Sequence, residues 1–158
     1  MYALDGLRVL DVASMMAGPY GATLLGDLGA DVIKLEPPSG DEARRIGPRR
    51  GTDSGVFVGL NRNKRSIVAD LRADAGRRVL SALVEWADVV VENLRPAAKA
   101  KLGLDWETLH ARNPRLICVS VSTFGSSGPY AGRPGIDPVA QALSGLMGVT
   151  GPLGAANS

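Results

Sequence analysis

Five short apolar runs punctuate the chain: "LRVLDV" (7–12), "ADVIKLE" (30–36), "RSIVADL" (65–71), "ADVVVEN" (87–93) and "RLICVSV" (115–121). Their shortness and β-branched content predict strands. Between them the apolar positions recur at helical spacing. That spacing predicts a first helix over 18–29, a second over 73–86 with Leu80, Leu83 and Val84 on one face, and a short third over 105–112. Asp105 is placed to cap the third helix, and Gly29 and Gly103 fall where chain reversals need positive φ. Alternating strands and helices predict an α/β fold of βαβ units: a mostly parallel sheet with helices on both faces. Right-handed crossovers then gather the strand ends, and any ligand, at one edge of the sheet.

The pattern lapses twice. The stretch "PPSGDEARRIGPRRGTDSGV" (37–56) is polar, rich in Pro, Gly and Arg, and without periodicity, so it reads as a mobile loop. Further on, "TFGSSGPYAGRPGID" (123–137) is rich in glycine and proline, which lets backbone atoms approach a ligand closely. A helix, "DPVAQALSGLMG", follows, and "VTGPLGAANS" has no strand to close the unit. With no internal repeat and no interdomain linker, the chain reads as one domain, 1–158, whose ending resembles a cut.

Composition narrows the function classes. At 158 residues and 45% hydrophobic, the chain can bury a core, since roughly 70% of the unfolded surface is hidden at this size. A net charge of +2 gives no support for nucleic-acid binding, so any electropositive site must be local; Arg and Lys cluster at 44–50 and 62–72. The lone Cys118 lies in an apolar run, which predicts a buried small hydrophobe, no internal disulfide and a reducing compartment, the cytoplasm. No stretch reaches the ~20 apolar residues that span a bilayer, and no basic-then-apolar leader opens the chain.

A dinucleotide fingerprint is not met. The first strand runs into "ASMMAGPYGATLLG", which offers Gly18 and Gly21 but not G-x-G-x-x-G, and Pro19 lacks an N–H where a phosphate loop would use one. Glu36 sits about where a ribose-binding carboxylate would, a weak coincidence, and NAD is not expected. Gly18 and Pro19 read as a tight helix entry with Pro near its first position, and that helix N-terminus suits an anion. His110 is the only histidine and lies on a short polar helix, so neither a metal site nor a Ser/His/Asp triad is supported. Asp11 and Glu92 end apolar strands, where a carboxylate must be hydrogen-bonded or do work; the reading favours structure. "RNKRS" gathers Arg62, Lys64 and Arg65, as suited to phosphates as to a solvated charge run.

Taken together, "LDGLRVLDVASMMAGPYGATLLGDLGADVIKLEPPSGD" (4–41), "LNRNKRSIVADL" (60–71), "ADVVVENLRPAAKAKLGLDWETL" (87–109), "NPRLICVSVSTFG" (113–125) and "RPGIDPVAQALSG" (133–145) strongly resemble the class III CoA-transferases. That family includes formyl-CoA transferase, carnitine CoA-transferase and the α-methylacyl-CoA racemases. The resemblance implies a Rossmann-like CoA-binding domain, here a truncated N-terminal part without the small domain, in a protein more than twice this long whose two chains interlock as rings. It implies coenzyme A or acyl-CoA as substrate, a carboxylic acid as co-substrate, and neither metal nor NAD. Contacts to CoA are implied for Ser14, Met15, Met16 and Ala17, for Ala69, Leu71 and Arg72, for Asn93 and Leu94, and for Lys101. Some members carry His and Gln where this chain has Ser14 and Met16. Arg72 and Lys101 would supply charge to the CoA phosphates, and Asn93 would bond the nucleotide.

In the transferases an aspartate attacks the acyl-CoA thioester, and an aspartyl-CoA thioester follows. The resemblance puts that aspartate a few tens of residues beyond "RPGIDPVAQALSG", in a segment this chain does not have, so the chain alone is expected to be inactive and to need the missing segment or a companion chain. Asp137 reads instead as the N-cap of the helix 138–147. The racemases place a histidine where this chain has Ile136, which cannot move a proton, so the transferase reading leads. A racemase-like enzyme or a non-catalytic CoA-binding subunit are the alternatives.

Overall fold

The computed structural model describes residues 1–51 and 53–150. Residues Met1–Val121 form one compact unit and the chain from Ser122 onward a second.

In the first unit the predicted strands all form: β1 (Arg8–Asp11), β2 (Asp31–Glu36), β5 (Lys64–Val68), β6 (Val89–Glu92) and β7 (Ile117–Ser120). They build one parallel sheet in the order β5-β2-β1-β6-β7. The chain therefore winds outward from β1 in one direction through β2 to β5, then crosses back to β6 and continues to β7. The order reverses between β1 and β6.

The connecting helices cover both faces. On one face Leu10, Val12, Leu35 and Val90 pack with Leu80 and Val84 of α3 (Asp74–Trp86) and Leu109 of α5 (Trp106–Arg112). On the other, Val9, Val32, Val89 and Val91 meet Ala22 of α1 (Ala17–Asp27). The middle of the central strands, Val9–Leu10, Val32–Ile33 and Val89–Val91, is therefore apolar toward both faces, as a sheet covered on both sides requires. Asp105 caps α5 by accepting from the Thr108 N–H at 2.9 Å, as its position predicts. Gly29 and Gly103 both take positive φ. Cys118 is only partly buried, against the expectation of a core position, because β7 is an edge strand.

The stretch 37–56 is more ordered than its composition predicts. It holds a 3-10 turn (Glu42–Arg45), a two-residue hairpin of β3 (Arg49–Arg50) and β4 (Asp53–Ser54), and the start of α2 (Gly55–Asn61). Side-chain bonds replace hydrophobic periodicity here. Asp41 caps the 3-10 turn, Ser54 caps α2, and the Arg44 guanidinium lies 3.6 Å from the Phe57 ring centroid. Another helix that the pattern does not mark, α4 (Pro96–Leu102), opens with proline at its first position.

In the second unit, α6 spans Asp137–Leu143 and α7 spans Leu146–Val149; Gly145, at φ +78°, breaks the single helix that the sequence suggests. Asp137 is not the N-cap. Ile136 occupies that position in extended conformation, and Asp137 lies inside the first turn, where its carboxylate accepts from Gln141 four residues on. The tail 151–158 lies outside the described residues.

Candidate functional site

In an open α/β sheet, the crevice outside the carboxyl ends of the strands at the reversal point is where ligands bind. Here that crevice lies between the turn leaving β1 and the segment leaving β6. The two are joined directly. The Ser14 N–H donates to Asn93 Oδ1 at 3.0 Å, and Asn93 Nδ2 donates to the Ser14 carbonyl at 2.8 Å.

The rest of the β1 turn is held as closely. The Ala13 N–H donates to Asp11 Oδ1 at 3.0 Å, the Ala13 carbonyl accepts from Lys34 Nζ at 2.8 Å, and the Met15 N–H donates to Asp41 Oδ1 at 3.1 Å. Met15 takes φ +70°, a left-handed conformation that costs a side-chain-bearing residue energy and persists where its surroundings impose it. Behind it, α1 starts at Ala17, so Pro19 is the third helical residue rather than the first. A Cβ on Gly18 would stand 2.4 Å from the Ala13 Cβ, so only glycine lets the helix seat this close to the turn.

Beneath the turn lies a buried, balanced group of charges. Lys64 Nζ is 2.7 Å from Asp11 Oδ2; Lys34 Nζ is 2.8 Å from Asp41 Oδ2 and 3.7 Å from Asp11 Oδ2. All four side chains are at most 2% exposed. Lys64 also donates to the Pro19 and Leu60 carbonyls and to Asn61 Oδ1. Burial lowers the Lys64 ammonium below the ordinary lysine range, and Asp11 opposes that shift.

Next to it, Glu36 ends β2. Burial pushes its carboxyl up, but Arg44, Ser66 and the Asp41 N–H all donate to it and hold it at about 2. Both of its oxygens are engaged, so the carboxylate that resembled a ribose ligand instead fastens the loop. A cleft of about 150 Å³ opens between turn and loop, lined by Ser14, Lys34, Gly40 and Asp41 among others. A larger open depression of about 580 Å³ lies along the hairpin and α2 and touches none of the predicted contact residues.

The predicted contact residues sort into three groups. Ser14, Met15, Met16 and Ala17 form the β1 turn and the start of α1, with Met16 half exposed, and Asn93 is clamped to Ser14. Asn93 therefore braces the turn through both ends of its amide. Leu71 and Leu94 are partly buried and pack on the α3 side of the core, as does Ala69, whose N–H donates to the Glu36 carbonyl. Arg72 and Lys101 are exposed; Arg72 is paired with Asp70 at 3.0 Å, and Lys101 lies in the last turn of α4.

The basic cluster 62–66 does not form one phosphate surface. Arg62 pairs with Asp27, Arg65 with Asp31, and Lys64 is buried on Asp11. Glu92 is engaged by the Leu94 N–H and by Lys99, which also reaches Ser120 Oγ at 2.9 Å. Sequence reasoning missed Lys34, Asp41 and Lys99 as site-forming residues, and it placed Lys64 in a phosphate-suited cluster rather than buried on Asp11. For Lys34 a signal exists: a lysine inside "ADVIKLE" occupies an interior strand position, where an ammonium must find carboxylates. Among the described residues no group of His, Cys, Asp and Glu could hold a metal ion.

Comparison with known proteins decides the family. The model of CoA-transferase family III matches residues 4–157. The chain belongs to that family. It is 44% identical over 156 residues to succinate–glutarate CoA-transferase of Agrobacterium fabrum, covering 94% of this chain and 39% of that protein. To the beta subunit of succinyl-CoA–L-malate CoA-transferase of Chloroflexus aurantiacus it is 43% identical, covering 94% and 37%. The crystal structure of a CAIB/BAIF family protein from Brucella suis superposes with a TM-score of 0.89 at 46% identity, over 95% of this chain and 41% of that one. The chain thus spans about two fifths of the length of these relatives, and its fold matches that of the Brucella suis protein over the shared part.

Proposed function

We infer that the chain binds coenzyme A at the carboxyl edge of its sheet and serves an acyl-CoA:carboxylate CoA-transferase. The observation that carries the reading is the Ser14–Asn93 junction at the strand-order reversal of a chain in this family. The turn 14–17 forms one wall, residues 69–72 and 93–94 the neighbouring positions, and the N-terminus of α1 favours the pyrophosphate. Arg72 and Lys101, both exposed, supply positive charge to phosphate groups.

In this reading the carboxylate nucleophile comes from outside residues 1–158. It attacks the thioester carbon and displaces the CoA thiolate, giving a mixed anhydride. The thiolate then attacks the enzyme-side carbonyl of that anhydride, releasing the first acid and leaving an enzyme thioester. The incoming carboxylate attacks this thioester, expelling the thiolate and forming a second mixed anhydride. The thiolate attacks the acceptor's acyl carbon, giving the new acyl-CoA and freeing the enzyme carboxylate. The residues present here hold and orient CoA, and Asp137, tied to Gln141, takes no part. The partner is a second copy interlocked with the first or a companion chain. The latter is supported by one relative being named a beta subunit. Ile136 offers no proton-transfer group where a racemase would need one. A cytoplasmic location accords with the lone thiol and with the absence, among the described residues, of a helix able to cross a membrane.

Calorimetric titration of coenzyme A into the purified chain tests the reading. Saturable binding, weaker for CoA lacking the 3′-phosphate and absent for NADH, is the expected result; no heat with CoA overturns it.

A further inference from the structure

Asp41 and Lys34 form a buried ion pair, and taking two charges out of water carries a large hydration cost. Well-packed apolar side chains of the same size would spare the fold that cost. Neither residue reaches solvent, both being about 2% exposed. Apart from their pairing and the 3.7 Å approach of Lys34 to Asp11, their side chains bond only to the backbone of the β1 turn and of the loop that follows β2. Lys34 holds the Ala13 carbonyl; Asp41 Oδ1 holds the Met15 N–H at 3.1 Å and the Ala43 N–H at 2.9 Å. The Asp41 N–H in turn donates to Glu36 Oε2 at 3.0 Å, and Arg44 grips the same carboxylate at 2.7 Å.

We propose that Asp41, with Lys34, is a positioning residue of the CoA site: it locks Met15 in its left-handed conformation and couples the loop 37–45 to the turn that receives the ligand. The inference rests on the CoA-binding reading above. A carboxylate beside an anion site would repel its ligand if it were exposed and unpaired. Here its charge is shielded from solvent and balanced by Lys34 at 2.8 Å, so its contribution is geometric. Holding Met15 at φ +70° before the ligand arrives removes an ordering cost from binding.

The test uses the chain itself with Asp41→Ala, the milder Asp41→Asn, and a control, Val84→Ala, which opens the α3 core away from the turn. Coenzyme A affinity is measured by calorimetry, and amide hydrogen exchange is followed without ligand. Asp41→Ala takes the acceptor from the Met15 and Ala43 N–H groups and leaves Lys34 with only the Ala13 carbonyl and Asp11 at 3.7 Å. Affinity is expected to fall about tenfold or more. The Ser14 and Met15 amides should exchange faster while those of Val9 and Leu10 do not change, and Val84→Ala should bind as the wild type does. Asp41→Asn keeps the shape but sets an amide against Lys34, and its affinity should fall in the same direction. An Asp41→Ala variant that binds CoA within twofold of the wild type overturns the proposal. So does a Val84→Ala variant that loses as much affinity, since stability would then explain both. If the wild-type chain does not bind CoA, the functional reading fails first and this proposal with it.

Discussion

Asn93 and Ser14 are 79 residues apart in sequence and exchange two hydrogen bonds, side-chain amide against backbone N–H and carbonyl, across the point where the strand order reverses. The pairing uses the geometry of an amide: an acceptor and a donor on the same planar group, matched to the N–H and carbonyl of one residue. It makes the turn after β1 and the segment after β6 a single wall.

That match predicts an ordering of variants at position 93. Asn93→Ala removes both bonds and should weaken CoA binding about tenfold, the effect of two unmade bonds in a partly buried site. Asn93→Asp keeps the acceptor but turns a carboxylate oxygen toward the Ser14 carbonyl and adds a negative charge beside an anionic ligand. It should therefore bind CoA more weakly than Asn93→Ala, although it is the closer isostere. Calorimetric titration of both variants checks the order; equal affinities would show that the amide does not brace the site.

Acid stability depends on Glu36. Its carboxyl is held at about 2 in the folded chain, below its ordinary value of 4.5. A depressed carboxyl stabilises the fold fully above the ordinary value, and that contribution is lost as pH falls from about 4.5 through about 2. By linkage it amounts to on the order of 3 kcal/mol. Glu36→Gln should be less stable than the wild type at pH 7, and the gap should close on acidification through this interval. Urea unfolding at a series of pH values measures it.

Two adjacent residues test the difference between buried and exposed pairs. Lys64 and Asp11 are nearly fully buried, whereas the side chains of Arg65 and Asp31 are 64% and 48% exposed. Lys64→Met leaves the buried Asp11 with Lys34, 3.7 Å away, as its remaining counter-charge and should cost about 3–5 kcal/mol. Arg65→Ala breaks a solvated pair and should cost less than about 1 kcal/mol. Chemical denaturation of the two variants separates them, and comparable losses would contradict the buried-charge arrangement.

The same pair shows where sequence reading stops. The strands were legible as short apolar runs, and α1, α3 and α5 because their apolar positions recur at helical spacing toward one face of the sheet or the other. "RNKRS" was not, because composition registers three cations and not their directions: Lys64 runs inward to Asp11 while Arg62 and Arg65 lean on Asp27 and Asp31. Residues 37–56 failed for a related reason. Their order comes from Asp41, Glu36, Arg44 and Ser54, polar side chains whose partners are set by the tertiary fold and leave no periodic trace. Ser14 and Asn93 reached the list of site residues by family resemblance, and nothing in their local spacing announces that they meet.

The two glycines that first suggested a phosphate loop should respond to substitution in opposite directions. Gly18 faces the turn, and a methyl group there would come within 2.4 Å of the Ala13 Cβ and 3.8 Å of a Val91 methyl. α1 must move away from β1, so Gly18→Ala should destabilise by about 1–3 kcal/mol, the cost of overpacking. Because that movement pulls on the turn at Ala13, it should also weaken CoA binding. Gly21 lies one turn later on the solvent side of α1, and a methyl group added there would meet nothing within 4 Å. Gly21→Ala removes backbone freedom from the unfolded chain and should stabilise by roughly 0.5–1 kcal/mol with CoA affinity unchanged. Urea midpoints and CoA titrations on both variants check the pair, and a stabilised Gly18→Ala chain would mean that the helix does not rest against the turn.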